Sequence, residues 1–80
     1  MALVVFSGQL EELTGRKNFM ANSLRFKELL DELVSEFPTL EKKTLTDMAV
    51  AIDGEIIHTP YLETLTEMSE IHFIYRISGG

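Results

Sequence analysis

Apolar residues recur along this chain with two different periods, and the switches between those periods divide it into elements. Leu3-Val4-Val5-Phe6 is an unbroken apolar run, rich in β-branched residues and without helical spacing, and it predicts a first strand. Ser7-Gly8 interrupts it. Gln9 to Thr14 fits a helical turn closed by Gly15, and Asn18 to Asn22 fits a second strand anchored by Phe19. From about Leu24 to Phe37 the period changes. Phe26, Leu29, Leu30, Leu33, Val34 and Phe37 follow one another at steps of 3, 1, 3, 1 and 3, which is the apolar stripe of an amphipathic helix. Lys27, Glu28, Asp31, Glu32, Ser35 and Glu36 fill the other side, where a solvated face is expected. Pro38 ends the helix, because the residue before a proline is pushed out of the α region. Ser23 is the candidate N-cap, although the Glu or Gln of a capping box is missing three residues on.

Thr39 to Asp47 is polar and reads as a loop with room for a short helical turn. Met48 to Ile52 returns to strand spacing, Asp53-Gly54 is a two-residue hairpin signal, and Glu55-Ile56-Ile57 runs back antiparallel. Pro60 breaks the chain again. Leu62 and Leu65 are expected to tuck the long connection onto the core, and Ile71 to Ile77 is the last strand. The order is strand, strand, helix, strand, short strand, strand. One helix then covers one face of a mixed sheet, an α+β arrangement of β-grasp type, with residues 1–77 as a single domain and 78–80 as a tail. Leu29 and Leu33, in the middle of the stripe, are core residues.

Strand alternation assigns the faces. Val4, Phe6, Val50, Ile52, Ile57, Ile71 and Phe73 point toward the helix, and Leu3, Val5, Ala49, Ala51, Ile56, His72, Ile74 and Arg76 point away. Ile74, Ile56, Val5 and Ala51 then form an exposed apolar patch, with His72 and Arg76 beside it. A contiguous patch of this kind marks a partner surface.

Composition narrows the class. With 80 residues, 45% of them hydrophobic, the chain has enough apolar material for one small core. It carries 7 Lys+Arg against 13 Asp+Glu, a net charge of −6, and nucleic-acid binding needs the opposite balance. The absence of Cys excludes a disulfide framework and a cysteine nucleophile. The longest apolar run, Met1–Phe6, is far short of the ~20 residues of a membrane span, and no basic stretch precedes it. The expectation is a soluble cytoplasmic domain without a membrane partner. Candidate chemistry is sparse. There is no Gly-rich phosphate loop, no Ser/His/Asp spacing and no zinc-protease motif. His58 and His72 stand 14 residues apart, without ligand spacing, and read as surface histidines. No metal, bound cofactor or catalytic residue of the chain's own is expected.

The exception is the end, Ile77-Ser78-Gly79-Gly80. At an average glycine usage of ~7%, two terminal glycines arise by chance in roughly 0.5% of chains. Glycine has no Cβ, so Gly79 lets the backbone pass a narrow channel and approach a reacting group. Four extended residues reach about 13–14 Å. The carboxylate of Gly80, with a usual pKa of roughly 3.3–3.7, is ionised at neutral pH and can attack the α-phosphate of ATP in another enzyme's site. Ser78 and Gly79 are the passage and Gly80 the reactive end.

Taken together, a β-grasp pattern ending in Gly-Gly resembles the MoaD/ThiS sulfur carriers, relatives of ubiquitin, and the resemblance covers nearly the whole chain. Val5-Phe6 followed by Gln9-Leu10-Glu11-Glu12-Leu13-Thr14-Gly15 resembles the first strand and following turn of MoaD. Ala51-Ile52-Asp53-Gly54-Glu55-Ile56 resembles the family's Val-Asn-Gly hairpin, and Ile71 to Gly80 the ending of ubiquitin. The chain departs from the pattern in three places. Glu11 stands where MoaD proteins often have Arg. Glu67-Met68-Ser69-Glu70 replaces an Asp-Gly-Asp-Glu-like turn, which is expected to be rebuilt, and Tyr75-Arg76 replaces Pro-Pro. The resemblance implies that a ubiquitin-activating-type enzyme adenylates Gly80 with ATP and that a sulfur donor converts the adenylate to a thiocarboxylate. The thiocarboxylate then delivers sulfur inside a MoaE-like large subunit of molybdopterin synthase. The alternatives are a carrier for thiamine or cysteine synthesis, a ubiquitin-like protein modifier, and a non-covalent β-grasp interaction domain.

Overall fold

A computed structural model describes residues 1–75. Its elements are β1 (Ala2–Val5), α1 (Gln9–Thr14), β2 (Asn18–Ala21), α2 (Phe26–Glu36), α3 (Lys42–Thr46), β3 (Ala49–Ile52), β4 (Glu55–Ile57), a 3-10 turn (Pro60–Leu62) and β5 (Glu70–Ile74). The five strands form one sheet in the order β2-β1-β5-β3-β4. The central pair, β1 and β5, is parallel, and the remaining pairs are antiparallel. This is the mixed sheet of a β-grasp fold.

Positive φ at two of the chain's turns shows how local sequence sets its reversals. Gly15 closes α1 in the left-handed conformation (φ 70°), and its N–H returns to the Glu11 carbonyl at 2.9 Å. In the β3–β4 hairpin both loop residues have positive φ, Asp53 at 52° and Gly54 at 86°. That is the type I′ geometry whose twist matches the flanking strands.

The stripe on α2 closes the core. Phe26, Leu29, Leu30 and Leu33 are buried against Val4, Phe6, Val50, Ile71 and Phe73 from the sheet. Phe37 caps this packing edge-to-face against Phe6 and Phe19, at ring distances of 5.5 and 5.3 Å. Val34, Ile52 and Ile57 pack partly buried at the margin.

The structure corrects several sequence expectations. The first strand starts and ends one residue early, and α2 begins at Phe26, leaving Leu24 56% exposed. Ser23 is not the cap of α2. Arg25 holds that position without a side-chain bond, and the Ser23 hydroxyl donates instead to Glu32 at 2.7 Å. The backbone N–H groups of Asn22 and Ser23 donate to the same carboxylate. Glu32 is therefore a clasp between α2 and the β2–α2 connection, not part of a solvated face. The polar stretch from Thr39 contains α3 and contributes Leu40 and Leu45 to the core. Leu65 is buried as expected, but Leu62 is 85% exposed. The intervening 3-10 turn opens on buried Pro60, and its last residue faces outward. The turn before β5 is rebuilt as expected, without a left-handed Met68. Ser69 folds inward, and its hydroxyl accepts the Thr66 N–H at 2.9 Å.

Candidate docking face and tail

β5 is the middle strand of the sheet, and its alternation divides the molecule. Ile71 and Phe73 are buried under α2, while His72 and Ile74 lie half-buried on the uncovered side. The register then lines up a row across the open face. Val5 on β1 sits opposite His72, His72 opposite Ala51 on β3, and Ala51 opposite Ile56 on β4. Four strands at about 4.8 Å spacing make this row ~14 Å long. Ile74 stands in the neighbouring row, opposite Ala49. The structure thus brings together the five sequence-expected residues Val5, Ala51, Ile56, His72 and Ile74. Ile56 is the most exposed of them, at 59%.

Ala49 departs from expectation. The register puts it on the open side, yet it is only 3% exposed and presents no surface. Two residues extend the face beyond the expected patch. Leu3 pairs with Met20 on the edge strand β2, and Met20 is 47% exposed. The signal in the sequence was the alternation Phe19-Met20-Ala21, in which Met20 is out of phase with the two residues that face the core.

His72 supplies the polar group in the middle of the row. Its Nε2 lies 2.8 Å from Oε2 of Glu70, two residues earlier on the same face. The backbone N–H of Glu70 donates to Asp53 Oδ1, and the Asp53 N–H donates to the Glu70 carbonyl, both at 2.9 Å. The hairpin loop is thereby fastened to the start of β5, and Asp53 and Glu70 make that end of the face acidic. At the other end β5 stops at Ile74, and the next residue, Tyr75, lines a groove of about 220 Å³ with Leu10 and Leu13 of α1 and Leu40. Arg76, Ser78, Gly79 and Gly80, like the end of the last expected strand at Ile77, lie outside the described residues.

Among the described residues no three His, Asp or Glu side chains gather as a metal site, and no helix is long and apolar enough to cross a membrane. The open face can exclude water from a partner's surface and accept or donate hydrogen bonds through one His–Glu pair.

The sequence matches the ThiS family over residues 4–80, nearly its full length and including the Gly-Gly end. No curated protein matches it significantly. Solved structures with similar folds include SAMP1 from Haloferax volcanii, at 21% identity and a TM-score of 0.74, with 99% of this chain and 98% of that one covered. A second Haloferax volcanii protein, solved in solution, superposes at a TM-score of 0.76 with 16% identity, over 99% of this chain and 85% of its own. A protein named as molybdopterin converting factor, subunit 1, from Pyrococcus furiosus superposes at 0.72 with 14% identity, over 95% and 97% of the two chains. At these identities the structures speak for the fold, and the family match speaks for descent: this chain belongs to the ThiS family and has the ubiquitin-like β-grasp fold of the sulfur carriers.

Proposed function

We propose that the protein is a sulfur carrier whose Gly80 carboxylate is activated by a ubiquitin-activating-type enzyme. The carboxylate oxygen attacks the α-phosphorus of ATP, the bond to pyrophosphate breaks, and an acyl-adenylate forms. Sulfide then attacks the acyl carbon, AMP leaves with the bonding electron pair, and a thiocarboxylate remains on Gly80. The carrier contributes the reactive end and a docking face, and the partners contribute acid, base and metal. Val5, Ala51, Ile56, Ile74 and His72 form the docking face, Arg76 steers the end by its charge, and Ser78 and Gly79 supply the narrow passage. The observation that carries this reading is the family match running through Gly79-Gly80 on a sheet whose open face is apolar beside the chain's exit.

Molybdopterin synthesis, with sulfur delivered inside a MoaE-like large subunit, is the pathway we assign. It draws on the likeness to the Pyrococcus furiosus protein that carries that name. A second reading keeps the same activation but transfers the acyl group to an amine, as a protein modifier does. Tyr75-Arg76, where the resemblance to MoaD calls for Pro-Pro, counts against the molybdopterin pathway in particular and leaves the activation of Gly80 common to both readings. One experiment separates the readings. The chain ending at Gly80 is incubated with an activating enzyme, ATP and sulfide, and intact mass is measured. A product with one sulfur in place of one oxygen supports the carrier, and conjugates to lysine side chains support the modifier. If neither forms, or if deleting Gly80 leaves product formation unchanged, the proposal falls.

A further inference from the structure

On the helix side of the sheet, away from the open face, the 3-10 turn packs against α2. Arg25, Lys27, Tyr61, Leu62, Glu63 and Thr64 line a groove of about 190 Å³ there. Its walls are tied by backbone bonds. The Phe26 N–H donates to the Glu63 carbonyl at 2.9 Å, and the Leu65 N–H to the Leu24 carbonyl at 2.7 Å. Leu62 stands 85% exposed on one wall, with Tyr61 at 44% beside it. An isolated apolar side chain at a surface needs no explanation, but one that helps form a groove held by hydrogen bonds presents a ready-made contact. Small-molecule sites commonly enclose roughly 300–1,000 Å³. This groove is smaller and suits one protein side chain of leucine size.

Charge identifies the kind of chain that would supply it. The protein is acidic overall, 13 carboxylates against 7 cations, and its net charge of −6 repels an acidic partner. At this groove the balance reverses. Arg25 and Lys27 stand with a single lining carboxylate, Glu63, and neither forms an ion pair with another described residue. The nearby Lys42 is already engaged by Asp31 at 2.7 Å. We propose that this groove is a second docking site, taking an acidic protein segment that inserts one aliphatic side chain beside Tyr61 and Leu62 while its carboxylates meet Arg25 and Lys27. The site does not depend on the sulfur-carrier reading and leaves the sheet face free, so both surfaces can be occupied at once.

The test uses the full 80-residue chain labelled with ¹⁵N and a synthetic peptide in which one leucine is flanked on each side by glutamates. Saturable amide shifts confined to Arg25, Lys27 and Tyr61–Thr64 are expected, weakening as salt is raised. Leu62→Glu and the double change Arg25→Glu with Lys27→Glu should each weaken binding at least tenfold. Met68→Glu adds the same charge at another exposed site and should leave it unchanged. Replacing the peptide's leucine with serine should also abolish the shifts. The proposal is overturned if no saturable shift appears, if the shifts fall on the sheet face, or if the variants bind as the parent does. It is equally overturned if the same amides shift with protein concentration alone, because a second copy of the chain would then be the occupant.

Discussion

The two faces of the sheet are built from the same strands and nearly the same kinds of residue, yet they are finished differently. On the inner face Val4, Val50, Ile71 and Phe73 meet a helix stripe of matching size and disappear from solvent. On the outer face Val5, Ala51, Ile56 and Ile74 are as apolar, but no element of the described chain covers them. Strand alternation creates both surfaces at once, so a buried sheet face never specifies its reverse. A small chain has one long helix to spend, and the face it leaves bare is where another molecule's surface gains most from burial.

The largest expected effect tests the covered face. Leu29→Ala or Leu33→Ala leaves a cavity under the sheet and should cost about 2–5 kcal/mol in denaturant unfolding. That is a large part of a small domain's stability. A loss below about half a kcal/mol would mean that α2 does not close this core.

Glu32→Ala comes next. It removes the one acceptor that serves the Ser23 hydroxyl and the N–H groups of Asn22 and Ser23, and should cost about 1–2 kcal/mol. The neighbouring Glu28→Ala, on the exposed side of the same helix, should stay within about half a kcal/mol. Equal losses for the two would dissolve the distinction between a clasp and a solvated carboxylate.

Ile56→Asp and Ile74→Asp turn the comparison around. Stability should change by only about half a kcal/mol or less at the exposed Ile56 and somewhat more at the half-buried Ile74. Binding to the activating enzyme, measured by titration calorimetry, should drop strongly in both. If either variant unfolds, that side chain belongs to the core. If both bind normally, the open face is not where the enzyme docks.

The smallest effect is expected at Lys42. Its hydrogen bond and charge attraction to Asp31 raise its pKa above 10.5. A raised folded-state value means that the contribution is complete below 10.5 and is lost as pH climbs through the folded pKa. Both partners are exposed, so screening leaves little of it. Lys42→Ala should move the melting temperature barely measurably at pH 7, and the difference from the parent should vanish in strong alkali.

Much of this was legible in the chain's own pattern. The stripe from Phe26 to Phe37, the stop at Pro38, the left-handed close at Gly15 and the Asp53-Gly54 hairpin follow from rules that act over a few residues, and a neighbour's position is not needed to apply them. The alternation in β5, β3 and β1 likewise located most of the open row before any strand was paired. What the sequence left undecided depends on residues far apart. Glu32 reads as one more solvated acid until the β2–α2 connection comes within 3 Å of it. Leu62 and Leu65 are alike in a linear reading, and only the 3-10 turn puts one outside and the other against the core. The polar company of Leu40 and Leu45 hid two core residues, one in the loop before α3 and one that α3 turns inward. Ala49 belongs to the open face by register and is lost from it by burial. Period and turn chemistry are local free energies written residue by residue, whereas burial is a property of the assembled surfaces, and only the tertiary fold decides which apolar groups are covered.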